Sequence, residues 1–322
     1  MTKEFNNEPQ AKAIAESLGL VITKYKGVYI VSNSIREMLA NYNLGYYHRG
    51  DIFYDKEIFE IAEDGFLVIK NKDIVNTSSI ELPYNIRDCS YMFYECPFLE
   101  IPPKIPEGVK ECRAMFKNCT SLKTPPIIPE GVKECRAMFM SCTSLKIPPI
   151  IPQGVERCDT MFMKCTSLEV PPIIPESVTD CHGMFNDCSS LVVAPIIPAS
   201  ATDCSHMFNK CIILKTPPTI PEGVKDCSSM FAECTSLETS PTIPEGVKDC
   251  SYMFSECTSL EIPPTVPSGV TDCYYMFSGC ISLKESPQFP ENCRNTGALQ
   301  GTQFERFNYD ALLARPKYDK KI

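Results

Sequence analysis

The sequence has no tryptophan, only three histidines, and no apolar run approaching the roughly 18 residues that a membrane span needs. Contact with a membrane is therefore not expected. Positive charge is also scarce: 31 Lys and Arg stand against 40 Asp and Glu, a net charge of −9 and a pI near 5.1. Binding to a phosphate backbone needs a basic face, so direct nucleic-acid binding is disfavoured. The opening residues, Met-Thr-Lys-Glu-Phe-Asn-Asn-Glu, lack the apolar core of a secretory signal. The expectation is a soluble, cytoplasmic protein. No glycine-rich phosphate loop is present, and nothing supplies the nucleophile, base and orienting group that acyl transfer requires.

What the chain has in quantity is cysteine, 19 residues, and proline, 28 residues, both in a fixed rhythm. Met-Phe recurs every 23 residues without an insertion, from Met92-Phe93 to Met276-Phe277, in nine copies. One cysteine precedes each Phe by four residues and another follows it by three, so Cys89 and Cys96 through Cys273 and Cys280 account for all but Cys293. Cysteines in a small secreted domain would suggest disulfides, but these follow the repeat in a chain with no export signal. They read as reduced thiols. Their spacing alternates between seven and sixteen residues, unlike the short loops of structural zinc sites. No metal or cofactor is expected, and two buried ladders of small apolar thiols account for the pattern.

Within one copy the apolar positions Val224, Cys227, Met230, Phe231, Cys234 and Leu237 are spaced mainly by three, four or seven, which predicts one or two helical turns. The preceding Pro221-Glu222-Gly223 marks a corner. A 23-residue arc with one apolar side cannot bury that side alone, whereas stacked copies join their sides into one core. A repeat solenoid follows.

The unit resembles two related bacterial repeats. The Ile-Pro corner, the aromatic Phe and the Cys-Thr-Ser-Leu run are those of the treponemal, BspA-like leucine-rich repeat class. Residues 250–260, Cys-Ser-Tyr-Met-Phe-Ser-Glu-Cys-Thr-Ser-Leu, match the Met-Phe-x-x-Cys-x-x-Leu core of the mycoplasma lipoprotein repeat of unknown function. The resemblance covers residues 83–290. It implies a leucine-rich-repeat-like right-handed superhelix of nine coils, with short strands on one side and helical turns on the other, often used for adhesion or protein contact. Paired prolines such as Pro102-Pro103 and Pro125-Pro126 depart from that pattern, because proline removes a ladder donor. Very short or irregular strands are expected there.

Three parts follow from this: residues 1–82 as a small α/β capping or partner-binding domain, 83–293 as the solenoid, and 294–322 as a closing cap and tail. In the first part a helix is expected near Pro9–Leu18, a strand over Val21–Val31, a helix over Ser34–Tyr42, and strands near Gly50–Tyr54 and Phe66–Lys70. Tyr46 to Tyr54 gathers aromatics around His48 and an Arg49-Gly50-Asp51 tripeptide of integrin type, and a packed strand pair is the expectation for that segment. In the last part Phe304, Phe307, Leu312 and Leu313 are available to cover the final coil. His182 and His206 lie on adjacent copies, one column apart, near Asp180 and Asp203.

Constant columns build a solenoid core, so partner information belongs in the variable ones. With Leu122, Thr124, Pro126 and Ile128 inward at period two, Lys123, Pro125 and Ile127 point outward. The outward column then reads Lys104, Ile127, Ile150, Ile173, Ile196, Thr219, Thr242, Thr265, Gln288. Beside it lie Pro125, Pro148 and Pro171, with Val192 opening the next column, an apolar stripe of roughly 15–20 Å at ~4.8 Å per strand. A second partner-binding candidate is the cluster Tyr252, Tyr274 and Tyr275, since tyrosines are common interface anchors. Residues 87–294 hold 25 acidic against 17 basic residues, which reads as a solvated row or a match to a basic partner. The resulting expectation is a non-catalytic protein-binding scaffold. Alternatives are an inhibitor that occludes a basic nucleic-acid channel of a host or competitor protein, encoded by a mobile element, a surface adhesin, and an enzyme with chemistry in residues 1–80.

Overall fold

The computed structural model describes residues 3–18, 20–25, 28–32, 44–47, 52–83 and 85–305. The chain divides into two compact units, Met1–Leu168 and Glu169–Ile322.

The first unit opens with β1 (Lys3–Phe5), α1 (Glu8–Leu18), β2 (Val21–Tyr25) and β3 (Val28–Ser32), the strands forming an antiparallel sheet of order β1-β3-β2. Ala11 and Ala15, four apart and so on one face of α1, pack on Val31. Where the apolar pattern predicts one strand over Val21–Val31, two form and pair with each other, Tyr25 opposite Val28. β4 (Leu44–Tyr47) and β5 (Ile52–Asp55) supply the strand pair expected of the aromatic segment, Tyr46 opposite Phe53. The expected helix Ser34–Tyr42 and the stretch His48-Arg49-Gly50-Asp51 lie outside the described residues. β6 (Phe59–Ile61) and β7 (Leu67–Ile69) form a hairpin that buries Phe59, Leu67 and Ile69. The hairpin and the segment after it are tied directly to the repeat: Ile69 N–H donates to Met92 O at 2.9 Å and Thr77 N–H to Ile101 O at 2.9 Å. These bonds cross the expected boundary at residue 82.

In both units the copies stack through constant columns. Cys, Met, Phe, Cys and Leu of each copy are almost fully buried, as is the preceding Val, replaced by Ile86 in the first copy and Ala201 in the sixth; Val224, Cys227, Met230, Phe231, Cys234 and Leu237 illustrate the set. Phenylalanine rings stack nearly parallel at 5.6–5.8 Å from Phe93 to Phe162 in the first unit and at 5.5–5.8 Å from Phe185 to Phe277 in the second. The spacing suits offset stacking.

The segment between the two cysteines is not helical. Met230, Ala232 and Cys234 donate their N–H groups three residues back, to Cys227, Ser229 and Phe231, at 3.0–3.2 Å. The alternate residues Cys227, Ser229, Phe231 and Glu233 donate instead to Asp249, Ser251, Met253 and Ser255 of the following copy, at 2.7–2.9 Å. A helix would spend every N–H four residues back on its own chain. Here every second one leaves sideways, and residues in the left-handed region, such as Ser229 (φ 53°) and Glu233 (φ 60°), separate the turns. Overlapping three-residue turns satisfy the same apolar spacing as a helix. That is why the sequence predicts helical turns and the structure has none there.

Strands are equally reduced. Parallel pairing shrinks to isolated bridges, Asn76 with Ile101 and the row Asp88, Glu111, Glu134 and Arg157 in the first unit, and the row from Asp180 through Asp203, Asp226, Asp249 and Asp272 to Arg294 in the second. The paired prolines sit on the other leg of the coil, where they cannot donate to a ladder.

Candidate functional site

The thiols explain themselves once the stack is built. In the second cysteine column seven thiols between Cys119 and Cys280 donate to a phenylalanine carbonyl of the preceding copy, for example Cys234 to Phe208 at 3.0 Å and Cys257 to Phe231 at 3.1 Å. That carbonyl also accepts the N–H of its own copy's cysteine, as Phe208 O does from Cys211 at 3.0 Å. A thiol thus fills an apolar column and satisfies a second lone pair. The 19 cysteines are free and buried. Burial pushes the Cys165 and Cys280 thiols up to about 12, so neither is a nucleophile at neutral pH. At the end of the ladder Cys293 Sγ lies 2.8 Å from Cys273 Sγ.

The histidines do meet. The His182 and His206 rings lie 5.5 Å apart, edge to face. His182 Nδ1 is 2.7 Å from Ser205 Oγ, and Ser205 Oγ donates to Asp203 Oδ1 at 2.5 Å. Asp203 thus orients the serine and not an imidazole, which is the reverse of a nucleophile–base–acid relay. Burial, then the neighbouring His182, lowers the His206 pKa. Among the described residues no three His, Cys, Asp or Glu side chains converge on a point that could hold a metal ion.

The acidic row has a structural use. Asp180, Asp203, Asp226, Asp249 and Asp272 each accept the N–H two residues on, at 2.8–2.9 Å, which fixes the entry to the turns.

Among side chains facing water, the corner side of the repeat stands apart. Ile127 and Ile150 in the first unit, and Ile173 and Ile196 in the second, are 82–88% exposed. Pro125, Pro148 and Pro171 beside them are half-buried, and Val192 is exposed. Thr124 is exposed rather than inward, a correction to the period-two register. Burial falls instead on Leu122, Pro126, Ile128 and Pro129, because paired prolines do not keep an alternating strand. The correction adds Ile147, Val170 and Val193, the equivalents of Thr124, to the exposed apolar set. Sequence reading also passed over Ile212 and Ile213, exposed where other copies have Thr-Ser. That departure from Cys-Thr-Ser-Leu was the available signal.

Tyr252, Tyr274 and Tyr275 come together elsewhere in the second unit. Tyr252 stacks on Tyr275 at 5.4 Å, and Tyr274 meets Tyr275 edge-on at 4.4 Å. The Arg294 guanidinium lies 4.2 Å from the Tyr274 ring centre and 3.3 Å from Asp272, so this cluster already carries its own cation. Two grooves open on the corner side of the second unit. One, of about 490 Å³, is lined by Val193, Ile196, Pro217 and Pro218, and the other, of about 620 Å³, by Pro263, Pro264, Pro287 and Phe289.

A sequence model of the BspA type leucine rich repeat region matches residues 70–169 and 204–313, in six copies. Solved structures with a similar chain path include a leucine-rich repeat protein from Bacteroides ovatus, 20% identical, covering 78% of this chain and 95% of that one, with a TM-score of 0.44. Another is the Treponema pallidum leucine-rich repeat protein, 22% identical, covering 63% and 86%, with a TM-score of 0.37. A leucine-rich cell surface protein from Faecalibacterium prausnitzii is 20% identical, covering 74% and 93%, with a TM-score of 0.33. No curated protein matches the chain.

Proposed function

The chain belongs to the BspA type leucine-rich repeat family, and from that premise we propose that it is a non-catalytic scaffold that binds another protein through the corner side of its coils. Each of the nine 23-residue copies counts in this reading as one coil of a right-handed winding, with residues 1–82 and 294–322 serving the ends. A reducing, cytoplasmic setting is part of the proposal, and the free, buried cysteines support it.

The observation that carries the reading is an internal contrast. At one repeat position Ile127, Ile150, Ile173 and Ile196 face water, while Thr219, Thr242, Thr265 and Gln288 occupy the same position in other copies. The fold does not need an apolar residue there. Isoleucine facing water in four consecutive copies, at a position where threonine suffices in others, is the signature of an interface.

The test is the double variant Ile150→Asp with Ile173→Asp. Exposed positions tolerate change within about 0.5 kcal/mol, so the melting temperature should hold. Capture of the cellular partner should fall sharply, because each carboxylate would be desolvated without a mate. A stable variant that captures its partner undiminished would refute the corner-side reading. The second reading, an inhibitor filling a basic nucleic-acid channel, draws on the net charge of −9. Competition between nucleic acid and this chain for the captured partner separates the two.

A further inference from the structure

The corner side of the second unit offers apolar walls and negative charge. The 490 Å³ groove has Glu176 at its rim, and the 620 Å³ groove has Glu285 and Glu291 among its lining residues. Neither is lined by a lysine or arginine. Two lysines close by in sequence are neutralised, Lys215 by Glu238 at 2.8 Å and Lys284 by Glu261 at 2.6 Å, while Lys248 Nζ donates to the Gly269 carbonyl at 3.1 Å. Glu176 accepts the Ala199 N–H at 3.1 Å. Glu285 and Glu291, by contrast, make no ion pair or hydrogen bond with any described residue.

The walls also restrict how an occupant can be held. Pro217, Pro218, Pro263, Pro264, Pro287 and Pro290 carry no N–H, so these edges cannot extend a ladder into an added strand. Recognition falls to side chains. Apolar groups fit against Val193, Ile196 and the prolines, and cations complement the carboxylates.

We propose that these two grooves bind an extended segment of a partner protein that carries apolar side chains a few residues away from lysine or arginine. The inference rests on the corner-side reading above and adds to it the chemical class of the partner. From Ile196 to Thr265 is three copies, roughly 14 Å at about 4.8 Å per step, which about five extended residues span.

The probe is a fluorescein-labelled ten-residue peptide with leucine at positions 2 and 4 and lysine at positions 7 and 9 on a serine–threonine background. Two controls replace either the lysines by glutamate or the leucines by serine. Fluorescence anisotropy with the full chain should show the parent peptide binding at least about tenfold more tightly than either control. The chain carrying Glu285→Lys with Glu291→Lys should lose about tenfold for the parent and gain for the glutamate peptide. Both residues are exposed, and an unchanged melting curve shows that the variant is folded. Equal binding of parent and serine control would reduce the effect to bulk charge and overturn the proposal. So would a glutamate peptide that binds best, affinities indifferent to charge reversal, or self-association of the chain in place of peptide binding. Should these peptides fail while Ile150→Asp with Ile173→Asp still abolishes partner capture, the partner class is wrong and the corner side stands.

Discussion

Left-handed backbone is required at two places in every copy, and at most of them the residue is not glycine. Ser141 is a clear instance, with φ at 62° and its N–H donated to Met163 O at 2.7 Å. The equivalent position in another copy is Gly279, with φ at 74°. An L-residue in this region carries a steric cost of about 1–2 kcal/mol, from Cβ against the following carbonyl. Ser141→Gly removes that cost but raises the entropy of the unfolded chain by an amount worth about 0.5–1 kcal/mol, which leaves a net gain of about 0–1.5 kcal/mol. Ser141→Val keeps the backbone strained and adds a second branch at Cβ, which should destabilise by about 1–2 kcal/mol. For a unit of this size each kcal/mol moves the midpoint by about 2–4 °C, so the valine variant should melt at least about 2 °C below the glycine variant. Ser144→Val, at a position outside the left-handed set, is the control and should change stability by no more than about 0.5 kcal/mol. Calorimetry decides the matter. If the valine and glycine variants at 141 melt within about 1 °C of each other, the turn geometry described here is wrong.

Three further outcomes are expected. A bulky thiol reagent should label the native protein slowly and the denatured protein fast, since every cysteine is buried; rapid labelling of most cysteines in the native state would overturn the reduced, packed ladders. Because Cys273 and Cys293 are 2.8 Å apart, glutathione disulfide should link that pair before any other, as read by peptide mapping. His206 bears on pH: its folded pKa is lowered below the usual 6.5, so the unfolded chain takes up a proton that the folded chain resists. Stability should therefore be full above about pH 6.5 and fall as the pH drops through the lowered folded value. His206→Gln should flatten that acid limb, and a limb left unchanged by the variant assigns the loss to other groups.

The period of 23 and the buried identity of Val224, Cys227, Met230, Phe231, Cys234 and Leu237 can be read from one dimension, because burial repeats with sequence. The path between them cannot. A spacing of three and four suits a helix and suits overlapping turns, and only the destination of alternate N–H groups, such as Phe231 to Met253, separates the two. That destination lies in another copy. The exposed isoleucines were legible because threonine and glutamine hold the same position elsewhere. Ile147, Val170 and Val193 were not, since a strand register was carried into a segment whose prolines do not follow one. The second thiol column was read as apolar filling, and the carbonyl it satisfies, Phe208 O for Cys234, belongs to a preceding copy that no local pattern points to.

The forward-pointing N–H bonds have a mechanical consequence. Tension on one end of a stack of coils loads the bonds between the outermost coil and its neighbour, such as Cys273 to Arg294, Tyr275 to Thr296 and Phe277 to Ala298, before those between inner coils. Lateral contacts of this kind peel in sequence and do not shear together. Each coil released adds 23 residues of slack, about 80 Å of extended chain. Under load such a stack would lengthen in even steps, as a fuse that yields one element at a time, while the coils further in keep their shape.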